Sequence, residues 1–186
     1  INKHSEALSG IKELFKNAGV GYELSFQMLN ASDYNVPQDR KRVFFIGIRK
    51  DLNFKYQFPT NVFSKIALEE IITDLKEGVL AGLEYNNSNG DNCSIPNHEY
   101  MTGSFSTIYM SRNRVRGWDE QSFTIQAGGR HAPLHPQAPK MKLIEQDKRI
   151  FVPGKEHLYR RLSVRECARI QTFPDDFIFQ YKKIAA

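Results

Sequence analysis

The sequence predicts an α/β fold in two parts, a short helix–strand–strand unit followed by a small, loop-rich domain. Two observations point there first. The opening residues carry one helical period and then two strand-like runs, whereas from about Asp51 the periodic signals shorten and polar, glycine- or proline-containing stretches separate them. A third is the sharply punctuated, arginine-rich helix signal near the end of the chain, Arg160 to Pro174.

In the first part, Ser5 to Ala18 places Leu8, Ile11, Leu14, Phe15 and Ala18 on one helical stripe, with Gly19 as the stop. Tyr22 to Asn30 reads as a strand, and Val43 to Arg49 as another. The apolar run Val43 to Ile48 suits a strand buried on both faces. Pro37 pins its entry, and Asn35 tolerates the left-handed backbone that a tight turn there requires. If the chain is extended from Gln38, then Gln38, Arg40 and Arg42 share one face and Asp39 and Lys41 the other. Such a face offers convergent donors to an anionic or carbonyl-rich ligand; the plain alternative is a charged strand entry with no task.

In the second part, Ile66 to Lys76 predicts a helix, Asn86 to Asn92 a loop, and Ser104–Met110 and Ser122–Ala127 short strands. Gly128-Gly129 and Pro133 to Pro139 read as irregular. At the end of the chain, Ser163 followed by Glu166 is a capping box, and Leu162 can close a hydrophobic staple with Cys167. Pro174 cannot continue the helix and biases Phe173 toward extended geometry. Arg165 and Arg169 fall on one face, with Ala168 and Ile170 available for burial. On pattern alone, a surface helix with solvated charges is the commoner outcome. Trp118 reads as an anchor of the small core rather than a stacking platform.

The chain has 186 residues, enough for one substantial core or two small ones, and its net charge of +5 and pI near 9.2 are compatible with a polyanionic partner. Placement says more than the total. Arg112, Arg114, Arg116, Arg130, Arg149, Arg160, Arg161, Arg165 and Arg169 all lie in the later half. Guanidinium forks match the O6 and N7 acceptors of guanine in the major groove. Arg112, Arg114 and Arg116 alternate, so an extended backbone aims all three one way. Gly128-Gly129 lets Arg130 swing inward. The competing role for each is phosphate contact, which positions without specifying; Arg114, Arg116 and Arg130 are the favoured readers.

Other chemistries fit poorly. Pro133 between His131 and His135 prevents the helix that would pair them on a metal, and no paired cysteines accompany them. Pro174-Asp175 lacks the later acid–lysine partner of a metal-dependent nuclease. His98 reads as a hydrogen-bonded loop residue. The two cysteines suit packing in a reducing compartment. With no membrane-length apolar run and no charged-then-apolar leader, the expectation is a soluble, cytoplasmic protein with no membrane partner.

Two blocks carry a family resemblance. Pro37-Gln38-Asp39-Arg40-Lys41-Arg42 before an apolar strand, and Arg160 to Pro174 with its Arg-x-Leu-Ser-x-Arg-Glu-x-Ala-Arg-x-Gln-x-Phe-Pro pattern, resemble the cytosine-C5 DNA methyltransferases. The stretch Ser111–Trp118, with Phe123–Ala127 and His135–Pro139, is similar to the HaeIII-type (GGCC) modification methylases of restriction–modification systems. The resemblance runs from about Ser5 to Tyr181. It implies that residues 1–52 are the last elements of a doubly wound, S-adenosylmethionine-dependent methyltransferase sheet. Residues 53–179 would form a target-recognition domain that includes helix 163–172, and residues 180–186 would begin a return to the catalytic domain. It also implies double-stranded DNA as partner, a target cytosine flipped from the duplex, and no metal. Gln38, Arg40 and Arg42 would border the cytosine pocket. Arg112, Arg114, Arg116, Arg130, Arg165 and Arg169 would serve DNA binding, the last two by bracing the recognition loops.

The family's nucleophile is a cysteine directly after proline, but Cys93 follows Asn92 and Cys167 follows Glu166. Gly19-Val20-Gly21 follows a helix, the wrong context for the cofactor loop. The block that holds the target base is not found either. The expectation is therefore a C-terminal part of a methyltransferase, inactive alone and completed by an N-terminal catalytic portion that binds S-adenosylmethionine. The alternatives are a non-catalytic recognition subunit of a split enzyme and the tRNA-methylating branch of the family.

Overall fold

The computed structural model describes residues 2–61, 64–83 and 90–180. Residues 86–89 of the expected asparagine-rich loop, and Tyr181 to Ala186, lie outside them. The chain divides into two compact units, Ile1–Asn30 with Lys41–Val62, and Ala31–Arg40 with Phe63–Ala186.

The first unit is helix α1 (Asn2–Asn17) and an antiparallel ribbon of β1 (Tyr22–Asn30) and β2 (Lys41–Arg49), in register from Tyr22↔Arg49 to Asn30↔Lys41. Gly19 ends the helix at φ +57°, and Gly21 turns the chain into β1 at φ +80°. The Phe15 ring presses onto β2 at Gly47, where a Cβ would sit 2.5 Å from it. Gly19-Val20-Gly21 is therefore a helix-to-strand turn. The expectation of a fully buried β2 does not hold in this unit: Val43 is 52% and Phe44 46% exposed. A two-stranded ribbon under one helix is too small to enclose both faces of an apolar run.

The second unit takes in residues 31–40, so its boundary differs from the division expected near residue 52. Backbone pairing is the reason. The Asp39 N–H donates to Ser122 O at 2.8 Å, the Ser122 N–H to Pro37 O at 3.0 Å, and Thr124 Oγ1 to Asp39 O at 2.6 Å. Asn35 adopts φ +61° at the turn, as its side chain allows.

Two apolar clusters hold this unit. Leu68, Ile72, Leu75, Ile125, Leu162 and Ile170 form one, with Trp118 and Cys167 packed against it. Tyr109, Val115, Leu134, Ala138, Met141 and Tyr159 form the other, flanked by Phe105 and Phe151. Helix α2 (Leu68–Ile72) is shorter than the expected span, because the chain tightens into a 3-10 turn over Thr73–Leu75. Its start is fixed by Glu70, whose carboxylate accepts the Ala67 N–H at 2.7 Å.

Strands β3 (Leu80–Ala81) and β4 (Glu99–Tyr100) pair in parallel. Where a strand was expected over Ser104–Met110 the chain forms helix α3 (Thr107–Met110), since Ser106 Oγ caps the Tyr109 N–H at 3.1 Å. The strand expected over Ser122–Ala127 reduces to a single bridge, Gln38↔Ser122. A hairpin of β5 (Lys142–Glu145) and β6 (Lys148–Ile150), turning at Asp147 with φ +55°, was not anticipated. Helix α4 (Val164–Ile170) closes the unit.

Candidate nucleic-acid interface

Helix α4 starts at the expected capping box. Ser163 Oγ accepts the Glu166 N–H at 3.1 Å, and Glu166 accepts the Ser163 N–H at 2.8 Å. Thr172 then takes a left-handed backbone, φ +63°, ending the helix ahead of Pro174. The helix is not a solvated surface element. Glu166 and Arg165 are fully buried, and Arg160 forks onto the Glu166 carboxylate at 2.6 and 2.8 Å. Burial alone would raise the Glu166 carboxyl, but the Arg160 guanidinium overrides it and holds the carboxyl below the usual carboxylate range.

Two buried histidines join this network. His98 Nε2 lies 2.9 Å from Leu75 O, an acceptor only, so Nε2 carries the proton. Nδ1 is then free to accept the Ser163 hydroxyl at 2.8 Å. His135 Nδ1 accepts the Gln137 N–H at 3.2 Å, which leaves the Nε2 proton facing Glu166 Oε1 at 3.5 Å, too far for a good hydrogen bond. Burial pushes the His135 imidazole down to about 4 against the pull of Glu166, so both rings are neutral at pH 7.

Arg165 and Arg169, expected to serve DNA binding by bracing the recognition loops, are both taken up by contacts within the protein. Arg165 sits at zero exposure, with Nε on Pro96 O at 3.0 Å, Nη1 on Pro174 O at 3.3 Å and Nη2 on Phe177 O at 2.9 Å. Arg169 grips Asp175 at 2.8 Å through both Nε and Nη2, and Asp74 at 2.6 Å through Nη1. Both guanidinium groups brace the segments around α4.

The remaining arginines are placed differently. Val115 is buried between Arg114 and Arg116, and Arg112, Arg114 and Arg116 line one groove of about 360 Å³ with Asp39, Phe123 and His131. Arg116 lies over the Phe123 ring at 4.1 Å, with Nη2 on Asp39 at 3.0 Å and Nη1 on Glu120 at 3.2 Å. Glu120 also accepts the Gly117 N–H and faces Lys140 at 2.9 Å; these contacts bring its carboxyl down to about 2. Arg114 donates Nε to Tyr109 O at 2.9 Å and Nη2 to Ile108 O at 3.3 Å. Each fork keeps unused N–H groups on its Nη atoms while its plane is held. Arg112 is exposed at the groove's edge.

Arg130 is exposed on a 3-10 turn, Gly129–His131, and lines a neighbouring cleft of about 490 Å³ with Tyr100, Met101 and Phe179. A further cleft of about 430 Å³ shares Glu99, Met101, Gly129, Val164 and Phe179 with it, and Arg40 forms part of its wall. Gln38, expected beside Arg40 as a donor to ligand, is instead 1% exposed, with a buried Nε2 that has no partner among the described residues. Arg42 belongs to the first unit, exposed on β2, with Nη1 on Lys41 O at 2.7 Å. Burial pushes the Cys167 thiol up to about 12, so it holds almost no thiolate at neutral pH. Among the described residues no group of three or more His, Cys, Asp or Glu is placed to hold a metal, and no helix is long and apolar enough to cross a membrane.

Sequence reasoning missed Arg161 and Tyr109. Arg161 is 2% exposed and Tyr109 1%. The tandem arginines before the Ser163 cap were the available signal, but a pattern does not say which of two charged neighbours points inward.

Comparison with known proteins fixes the family. Residues 1–186 match the C-5 cytosine-specific DNA methylases over their whole length. The chain belongs to that family. It is 63% identical over 166 residues to the Type II methyltransferase M.MthTI of Methanothermobacter thermautotrophicus, covering 89% of this chain and 50% of the relative. It is 51% identical over 185 residues to the Type II methyltransferase M.FnuDI of Fusobacterium nucleatum, covering 98% and 53%. The chain thus spans about half the length of the curated relatives it matches. A crystal structure described as a prophage-encoded DNA modification methyltransferase of E. coli shares the fold, with a TM-score of 0.55 at 18% identity over 94% of this chain and 56% of that one.

Proposed function

We propose that this chain is the recognition-bearing part of a DNA (cytosine-5-)-methyltransferase of a restriction–modification system. The complete enzyme would transfer a methyl group from S-adenosylmethionine to C5 of a cytosine flipped out of double-stranded DNA, within GGCC. The observation that carries the reading is the arginine groove. Arg112, Arg114 and Arg116 line one groove, two of their guanidinium groups held in plane by carbonyls, carboxylates or a ring, and Arg130 stands on an exposed turn. Held forks with spare donors suit the paired acceptors of guanine better than the single charge of a phosphate does.

S-adenosylmethionine finds no glycine-rich cradle among the described residues. The one Gly-x-Gly segment is spent on the α1–β1 turn, where a Cβ on Gly21 would meet Lys16 O at 2.9 Å. Neither cysteine follows a proline. This chain alone should therefore transfer no methyl group. Completion would come from an N-terminal catalytic portion.

The test uses the chain joined to the N-terminal half of the Methanothermobacter relative. Arg114→Ala, Arg116→Ala and Arg130→Ala should each weaken binding to a GGCC duplex by about 1–3 kcal/mol and affect altered duplexes much less. Competition binding reads both. Equal losses on all duplexes, with a shallower salt dependence, would reassign the arginine to phosphate contact and count against the proposal.

Arg42 is assigned to the cytosine pocket rather than to sequence reading. In the same protein, Arg42→Ala should slow single-turnover methyl transfer while the preference among duplexes stays as it was. Arg42→Lys should rescue it poorly, since an ammonium lacks the planar fork. Normal single-turnover chemistry with an altered preference would move Arg42 to the readers.

A further inference from the structure

Arg161 and Tyr109 lie outside the groove, yet between them they touch both segments that carry the proposed readers. Arg161 donates Nη1 to Met101 O at 3.1 Å and Gly103 O at 2.7 Å, and Nη2 to Ser104 O at 3.0 Å. Its Nε reaches Arg130 O, on the reader turn itself, at 3.4 Å. Its plane lies 4.0 Å from the Phe105 ring and 5.5 Å from the Tyr109 ring. No carboxylate pairs with this buried cation among the described residues; carbonyl dipoles and ring faces replace its hydration.

Tyr109 completes the link. The Arg114 guanidinium lies 4.8 Å from its ring, and the Tyr109 carbonyl accepts Arg114 Nε at 2.9 Å. Its buried hydroxyl donates to Ala132 O at 2.7 Å, just past the Gly129–His131 turn. Gly129 is seated so closely on Met101 that a Cβ would lie 3.1 Å from Sδ. A core position that only filled space would require neither a cation nor a hydroxyl here.

We propose that Arg161 and Tyr109 are positioning residues that fix the Arg130 turn relative to the Arg114 segment, and so help decide which bases the two arginines reach together. The inference rests on the base-reading assignment made above. A planar fork bonded to four carbonyls holds directions that a lysine cannot reproduce, and Tyr109→Phe removes one hydrogen bond while keeping the ring.

The test compares Arg161→Lys, Tyr109→Phe, Arg130→Ala and the Tyr109→Phe/Arg130→Ala pair in the completed protein. Competition binding compares a GGCC duplex with one carrying an altered outer base pair, with thermal unfolding run in parallel. Tyr109→Phe, which keeps both stacking faces, serves even where Arg161→Lys fails to fold. The expected result is a roughly tenfold loss of discrimination in Tyr109→Phe at a temperature where the protein is fully folded, with no further loss when it is added to Arg130→Ala. Discrimination lost in Arg130→Ala but kept in Tyr109→Phe would overturn the inference and leave base reading standing. Discrimination kept in Arg130→Ala would overturn the base-reading assignment, and the inference with it.

Discussion

Replacing Arg160 by alanine should lower the free energy of unfolding by about 3–5 kcal/mol, the effect of leaving a buried carboxylate without its cation. Glu166 is at zero exposure, and two of its bonds come from the Arg160 fork. What remains is the Ser163 N–H at 2.8 Å and the distant His135 ring. The carboxylate would then take up a proton or draw water into the unit, and the start of α4 would loosen with it. Urea unfolding followed through Trp118, the chain's single tryptophan, reads the change, because the indole packs on the first core cluster and meets His135 edge-on at 5.2 Å. Pairing Arg160→Met with Glu166→Gln should recover a good part of the loss, since no charge is then stranded. A loss below about 1 kcal/mol in Arg160→Ala would mean that the pair is solvated in solution.

Lowering the pH from 7 to 4 should cost the second unit about 3 kcal/mol through His135 alone, a depression from 6.5 to about 4 taken at 1.36 kcal/mol per unit. Burial holds the native imidazole neutral, while the unfolded chain takes up its proton near the ordinary histidine value. The stabilisation is therefore complete above pH 6.5 and is lost as the pH falls from there to 4. His98 shifts in the same direction and adds to the loss. The Glu120 carboxyl, at about 2, begins to contribute only below its ordinary value, so the upper part of the window belongs to the histidines. Urea midpoints at pH 7.5, 6 and 5 should fall steadily in the wild type and less steeply in His135→Gln. Parallel curves would show that His135 titrates normally.

The first unit was legible because each of its signals is local. Helical spacing from Leu8 to Ala18, a glycine stop and two strand-like runs place α1, β1 and β2 within a few residues. The Ser163–Glu166 box was equally local. What local pattern could not give was partnership. Ser104–Met110 has strand-like residues, but the Ser106 hydroxyl captured a backbone donor and turned the segment into α3. Among the described residues, Ser122–Ala127 found only the chain entering β2 as a backbone partner, too little to build a sheet. The burial of Arg161 and Arg165 depends on carbonyls contributed from far along the chain, such as Ser104 and Pro96. Arg112, Arg114 and Arg116 line one groove, but Asn113 lines it too, so their alternation does not account for the placement; Gln38, whose face was assigned to a ligand, turns into the interior.

Base reading by the arginine groove is tested most directly by a methylation profile. The chain, joined to the N-terminal half of the Methanothermobacter relative, would be supplied with S-adenosylmethionine and a DNA containing every short sequence context. Bisulfite sequencing would then locate each methylated cytosine. The expected result is C5 methylation confined to GGCC in the parent protein and spread to related sites in the Arg114→Ala/Arg116→Ala/Arg130→Ala variant. An identical set of methylated sites in parent and triple variant would contradict base reading by these arginines, because the choice of cytosine would then lie elsewhere in the enzyme.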